Sequence, residues 1–259
     1  MLGKWRIHRL FDREASVEVS ERDGVRYLHL GSSTVQSAMK LSDPAELVLS
    51  YTRTMMSFLL FAPEPAHAVM VGLGGGSVAK YFHRHLQGSR VTVIENNDRV
   101  IAVARQMFYV PDDDERFRVV AADGETWVSE HPGSCDLLMV DGYDGHAQVE
   151  ALCTEDFYAA ASPARHPAGL LVVNLWSSDR RFDAYVQRNE GSFGAVVSVP
   201  AERHGNVVVL GFCRRPRELR WEALRRRARV LEASYGLEFL RMLEGIRELN
   251  PHGDKELRL

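Results

Sequence analysis

Cysteine is scarce in this chain: three in 259 residues. Cys135, Cys153 and Cys213 make neither a Cys-x-x-Cys pair nor an even set, so no disulfide framework or zinc ribbon is expected. A reducing cytoplasm fits that usage best. Long apolar runs are missing as well. Nothing approaches the ~18 residues of a membrane span, and the opening Met1-Leu2-Gly3-Lys4-Trp5-Arg6 lacks the apolar core of a secretion signal. Charge of one sign is not in excess: 32 basic residues stand against 35 acidic ones, a net of −3. Such a chain has no overall field to draw it to nucleic acid or anionic membranes, which leaves a small molecule as the expected partner.

A hydrophobic fraction of 45% and a charged fraction of 26% are those of an ordinary globular protein, and the length suits one large α/β domain with a small appendage. Residues 1–42 hold short β-type runs, Trp5–Arg9, Val17–Ser20 and Val25–Leu30, with Arg22-Asp23-Gly24 as a turn. An N-terminal antiparallel unit is expected there, and a Rossmann-like domain over 43–259. Asp43-Pro44 resembles an N-cap and first turn, and Leu47, Val48, Tyr51, Met55, Phe58 and Leu59 recur at helical spacing. One helix over Ala45–Phe61 is the expectation. Beyond it, apolar strand signals alternate with helix signals, which implies a mostly parallel sheet covered on both faces. Val196–Val199 and Val207–Phe212 are joined only by a turn, so they should close that sheet as an antiparallel hairpin. That ending belongs to the methyltransferase type of Rossmann-like sheet.

Four features fall at the carboxyl ends of successive strands, where open α/β sheets bind ligands. Gly72-Leu73-Gly74-Gly75-Gly76-Ser77 lets a ligand lie against main-chain amides, and no Gly-Lys-Ser/Thr follows to make it a phosphate loop. Glu95 stands about twenty positions on, the spacing for a carboxylate that accepts ribose hydroxyls. Asp123-Gly124 offers either an acceptor for an adenine amino group or a helix N-cap. Asp141-Gly142-Tyr143-Asp144 ends the fourth strand with two acids three residues apart. Together they describe a cleft for an adenosyl ligand with negative charge beside it.

Other residues suggest less. Arg214, Arg215, Arg217, Arg220, Arg225, Arg226, Arg227 and Arg229, among Leu219, Trp221, Leu224 and Val230, have the spacing of an amphipathic helix with a solvated basic face. His83 and His85, two apart on one helix, point to different faces and make a poor metal pair, so no metal is expected. Ser32-Ser33 and Ser177-Ser178 lack the context of a hydrolase nucleophile.

With these residues in place, the chain resembles the spermidine synthase (polyamine aminopropyltransferase) family over nearly its whole length. The likeness runs through the N-terminal β unit, Gln36, Tyr51, the glycine turn, Glu95, Asp123-Gly124, Asp141-x-x-Asp144 and Leu152-Cys153-Thr154-Glu155-Asp156-Phe157-Tyr158. The resemblance implies a cytoplasmic transferase of polyamine biosynthesis that moves an aminopropyl group from decarboxylated S-adenosylmethionine to a di- or polyamine. It implies that Glu95 holds the ribose, Asp123 the adenine, Gln36 the nucleoside's tail and Gly72, Gly74, Gly75 and Gly124 the ligand's backbone cradle. Asp141 would orient the attacking amine and help take its proton, while Tyr51, Asp144 and Asn174 line the acceptor channel. It further implies a homodimer built through the N-terminal strands, to which Trp5, Ile7, Val17 and Val19 could contribute.

The chain also departs from the family. Gly75 replaces an Asp that pairs with the donor's ammonium, Glu202 or a neighbour replaces an acceptor-site Tyr, Asn174 replaces a Gln and Arg53 replaces a Glu. The Gly75 change opens a second reading, an S-adenosylmethionine-dependent methyltransferase on the same fold. The altered acceptor residues open a third, a nucleoside-binding protein without catalysis.

Overall fold

The computed structural model describes residues 6–9, 17–32, 34–143, 149–161, 169–202 and 205–259. A four-stranded antiparallel sheet opens the chain: β1 (Arg6–Arg9), β2 (Val17–Arg22), β3 (Val25–Leu30) and β4 (Ser37–Lys40), paired in sequence order. The main sheet has seven strands. β5 (His67–Val71), β6 (Arg90–Glu95), β7 (Phe117–Ala121), β8 (Leu137–Val140) and β9 (Leu170–Trp176) run parallel. β10 (Ala195–Pro200) and β11 (Asn206–Phe212) form the expected hairpin, which enters with β11 against β9 and β10 at the edge. From one side to the other the order is β7-β6-β5-β8-β9-β11-β10, so the order in which successive strands are added reverses between β5 and β8. A reversal of this kind opens a crevice at the strands' carboxyl ends.

The parallel strands are apolar along their whole length because helices cover both faces. Side chains alternate as a pleat requires. Met70, Met139, Val172 and Leu210 belong to a core under the 3-10 helix Met55–Leu60 and helices α2 (Ser77–His85), α7 (Trp221–Tyr235) and α8 (Phe239–Leu249). Val69, Val71, Leu138, Val140 and Val173 face the opposite core. That second core is roofed by α4 (Gly124–Glu130), α5 (Glu155–Ala161) and α6 (Phe182–Ser192), whose Val128, Phe157 and Tyr185 it takes in. Each such Val or Leu contributes roughly 1.5–3 kcal/mol on burial. The small sheet joins the large one through α3 (Asp98–Met107): Val17, Val19, Leu28 and Met39 pack on Val100, Val103 and Phe108. Among the described residues no helix is long and apolar enough to cross a membrane.

Two helix expectations need correction. The segment after Asp43 is not one helix: α1 covers only Ser50–Thr54, and the 3-10 helix follows. Asp43 caps nothing there, since its carboxylate accepts the Ala45 N–H and the Arg84 guanidinium, and Lys40 and Asp43 form an isolated bridge. The arginine-rich stretch is helical only from Trp221, because Pro216 cannot sit in a helix interior and keeps its predecessor extended. From there it is amphipathic as read, with Trp221, Leu224, Ala228 and Leu231 inside.

Behind the glycine turn lies a buried lysine. Lys80 of α2 is 5% exposed, and its Nζ donates to the Phe108 carbonyl at 2.6 Å. Burial lowers its pKa from 10.5 to about 7. The unfolded chain therefore keeps this proton where the fold has shed it, and stability rises with pH between those two values. Lys80→Met should flatten that rise. Chemical denaturation of both proteins at about pH 6 and about pH 9 tests this, because the wild-type stability gain should exceed the variant's.

Candidate active site

Gly72, the first residue past β5, has φ +96° and donates its amide to the Ile94 carbonyl at 2.9 Å. A Cβ built there would lie 2.3 Å from the Asp141 carbonyl oxygen, so β5 and β8 come together at a point only glycine can occupy. Above this contact opens a cavity of about 660 Å³. It brings together Gln36, Tyr51, Gly72, Gly74, Glu95, Asp123, Gly124 and Asp141 from six separate segments of chain.

Glu95 turns its carboxylate back on the glycine turn. Oε2 accepts the Leu73 N–H at 2.9 Å and Oε1 the Asn97 N–H at 3.0 Å. Burial raises its pKa above the ordinary value, although the amides of Leu73, Asn97, Asn96 and Gly74 favour the ionised form. A carboxylate has about four acceptor sites, so these two hydrogen bonds leave capacity for ribose hydroxyls. Asp123 takes up its capping role: Oδ1 accepts the Thr126 N–H at 2.9 Å at the start of α4. The same residue lines the cavity beside Ile94 and Gly124.

Asp141 is the buried acid of the site. Asn174 Nδ2 donates to its Oδ1 at 2.9 Å, and Asn206 Nδ2 donates in turn to Asn174 Oδ1 at 2.9 Å. Tyr51, on α1, brings its hydroxyl within reach of the Gln36 carbonyl, at 3.3 Å, and of the Asp141 carboxylate. Burial pushes the Asp141 pKa up, and the hydrogen bonds from Asn174 and Tyr51 oppose it. The Tyr51 phenol is pushed well up by burial and by that neighbouring carboxylate. It stays protonated, and it donates.

The remaining expected residues lie elsewhere. Asn174, 1% exposed, stands behind Asp141 and orients it; it is not part of the cavity wall. Gly75 is not part of the wall either. A Cβ there would come 2.7 Å from Phe108 Cδ1 and 2.7 Å from Ser37 Oγ. Asp144 falls outside the described residues. Arg53 turns from the cavity to Glu238 and the carbonyls of Leu47 and Val48, and Glu202 pairs with Arg241. His83 faces Asp114 while His85 packs on Tyr81.

Two contributors went unrecognised in the sequence. Tyr143 lines the cavity, stacks on Trp176 with ring centroids 4.7 Å apart and donates to the Asn174 carbonyl at 3.0 Å. Asn206, 5% exposed, is the polar first residue of an otherwise apolar strand. A buried amide at that place was the available signal.

A glycine cradle, a strand-end glutamate with ribose spacing and a buried aspartate converge on one cavity. Residues 48–178 match the family model described as spermine/spermidine synthase domain. The chain belongs to the spermine/spermidine synthase family. A polyamine aminopropyltransferase of Chromobacterium violaceum is 44% identical over 235 residues, 90% of this chain and 90% of that one. One of Neisseria meningitidis serogroup A is 42% identical over 245 residues, covering 94% and 93%. Among solved structures, a probable spermidine synthase from Corynebacterium glutamicum superposes with a TM-score of 0.74 at 18% identity, over 97% of this chain and 98% of that one, which supports the fold. Family membership accounts for the cavity's placement at the reversal point of the sheet.

Asn174→Leu would remove an N–H that favours ionised Asp141, so the Asp141 pKa should climb further. The acid limb of the kcat/KM profile should move to higher pH while methylthioadenosine affinity holds. Superimposable profiles would show that this hydrogen bond does not tune the acid.

Proposed function

We propose that this chain transfers an aminopropyl group from decarboxylated S-adenosylmethionine to a small di- or polyamine. The observation that carries the reading is the buried Asp141 carboxylate, held by Asn174 and Tyr51, in the same cavity as Glu95, Asp123 and the glycine turn. The aminopropyltransferase relatives favour it over a methyltransferase and over a protein that only binds.

Glu95 would hold the ribose, Asp123 the adenine amino group and the turn the rest of the nucleoside. The donor's sulfonium supplies the leaving group. The acceptor nitrogen bonds to the carbon beside sulfur, the carbon–sulfur pair leaves with methylthioadenosine, and one proton must leave the nitrogen. A primary ammonium has a pKa of roughly 10, so Asp141 alone strips it poorly in the ground state. Its work is to hold the amine in line and to receive the proton as attack makes the nitrogen acidic. Alignment alone can contribute up to about 7–11 kcal/mol. The Tyr51 hydroxyl, which donates to the Gln36 carbonyl at 3.3 Å and is one of the groups that favour the ionised form of Asp141, would help keep the carboxylate aimed, and Asp144 would add a second negative charge for a cationic acceptor.

Cys135, Cys153 and Cys213 are not bridged to one another, which supports a cytoplasmic setting. A homodimer belongs to the proposal on the resemblance. Val17 and Val19 are 1% and 0% exposed within their own protomer, so the contact would use other residues of the β1–β4 sheet.

Asp141→Asn should lower kcat/KM for putrescine by about 10²–10⁴ while methylthioadenosine still binds. Mass spectrometry of the amine product and calorimetry of the nucleoside read the two halves separately. Retention of full turnover would remove Asp141 from the mechanism.

A further inference from the structure

Besides the acids and the glycines, the cavity wall includes Gln36, Ser37, Tyr51, Met55, Ser77 and Met139, whose hydroxyls, amide and thioethers make one arm of the site. Glu95 and Asp123 stand at the ends of β6 and β7, on the far side of β5. Among the described lining residues the remaining acid is Asp141. The glycines of the turn contribute no side chain to the arm, and its Ser77 contributes only a hydroxyl. Gly75 is walled in by Phe108 and Ser37, and Ser37 Oγ sits where a residue-75 side chain would have to pass. What fills that space is neutral and able to hydrogen-bond. Ser37 Oγ and Ser77 Oγ are 3.1 Å apart, and Ser77 Oγ donates to the Ala38 carbonyl at 3.3 Å. The ionisable group packed behind the turn is an amine, Lys80, and no acid: it donates to the carbonyl of the same Phe108 whose ring lies against Gly75.

Two carboxylates a few ångströms apart in a partly buried site repel strongly, and a neutral or cationic neighbour removes that penalty. We propose that this arm admits an intact α-amino-acid tail, so that S-adenosylmethionine and S-adenosylhomocysteine bind here alongside the decarboxylated donor and compete with it. The inference rests on the nucleoside site proposed above. The tail's carboxylate finds hydroxyls and the Gln36 amide in place of an acid, and its ammonium has Asp141 as counter-charge. Discrimination between the two donors is then left to the reaction itself, because only the decarboxylated compound carries the aminopropyl group.

Calorimetry with four ligands tests this: methylthioadenosine, decarboxylated S-adenosylmethionine, S-adenosylmethionine and S-adenosylhomocysteine. The wild-type affinities for the two sulfonium compounds should agree within about tenfold. Ser37→Asp places a carboxylate in the arm. It should weaken both intact-tail ligands by about tenfold or more and spare the decarboxylated one. Methylthioadenosine, which has no tail charge, reports that the variant is folded. Wild-type protein that binds methylthioadenosine and the decarboxylated donor yet rejects intact tails by about a hundredfold overturns the inference and leaves the aminopropyltransferase reading standing. Equal losses for both sulfonium ligands in Ser37→Asp also overturn it. Failure of methylthioadenosine itself to bind the wild type overturns both.

Discussion

The near-contact of two backbones at Gly72 and Asp141 governs the rest of the site. A Cβ on residue 72 would stand 2.3 Å from the Asp141 oxygen, so any side chain at that position would push β5 from β8. Strand order reverses between these two parallel strands, the place where open α/β sheets form a crevice, and the cavity lies there. The tight approach sets how deeply a ligand can settle before it meets Asp141. The chain is anchored immediately below, since the Asp141 amide donates to the Val71 carbonyl at 3.0 Å. The position of the acid is thus inherited from the ladder and not from a loop.

Each acid around the cavity carries a structural duty as well as a chemical one. Glu95 holds the glycine turn closed through the Leu73 amide, and Asp123 caps α4. Their orientation is fixed before any ligand arrives, which lowers the ordering cost of binding. Asp141 differs. Its partners are side chains, Asn174 and Tyr51, drawn from β9 and α1. Two of the acids are thus fixed by main-chain amides, and the third, buried one is held by side chains that can respond to a change of charge.

Much of this was legible in the residues. Apolar strands ending in Gly72, Glu95, Asp123 and Asp141 announced both the sheet and the cleft, because a parallel strand buried on both faces must be apolar and must stop where polar groups can reach water. The 43–61 segment misled because helical periodicity was judged without the Asp43–Arg84 contact, which is far apart in sequence. Pro216 was a visible helix breaker inside the arginine run, outweighed there by spacing. Asn174 and Gly75 could be placed on the right strand and turn, yet not behind the cavity wall, since which side of a wall a residue occupies depends on Phe108 and Ser37 arriving from elsewhere. Asn206 escaped for the same reason: its role is defined by a neighbour on another strand.

The Asn206–Asn174–Asp141 relay has a bearing on how the enzyme comes into being. Among the described residues β11 is the last strand of the chain, and it slots between β9 and β10. A chain still emerging from the ribosome at residue 200 has already made the glycine turn, Glu95, Asp123 and Asp141. It lacks the amide that sets Asn174. The buried acid is therefore set from the C-terminal side, after every described segment that lines the cavity has been synthesised.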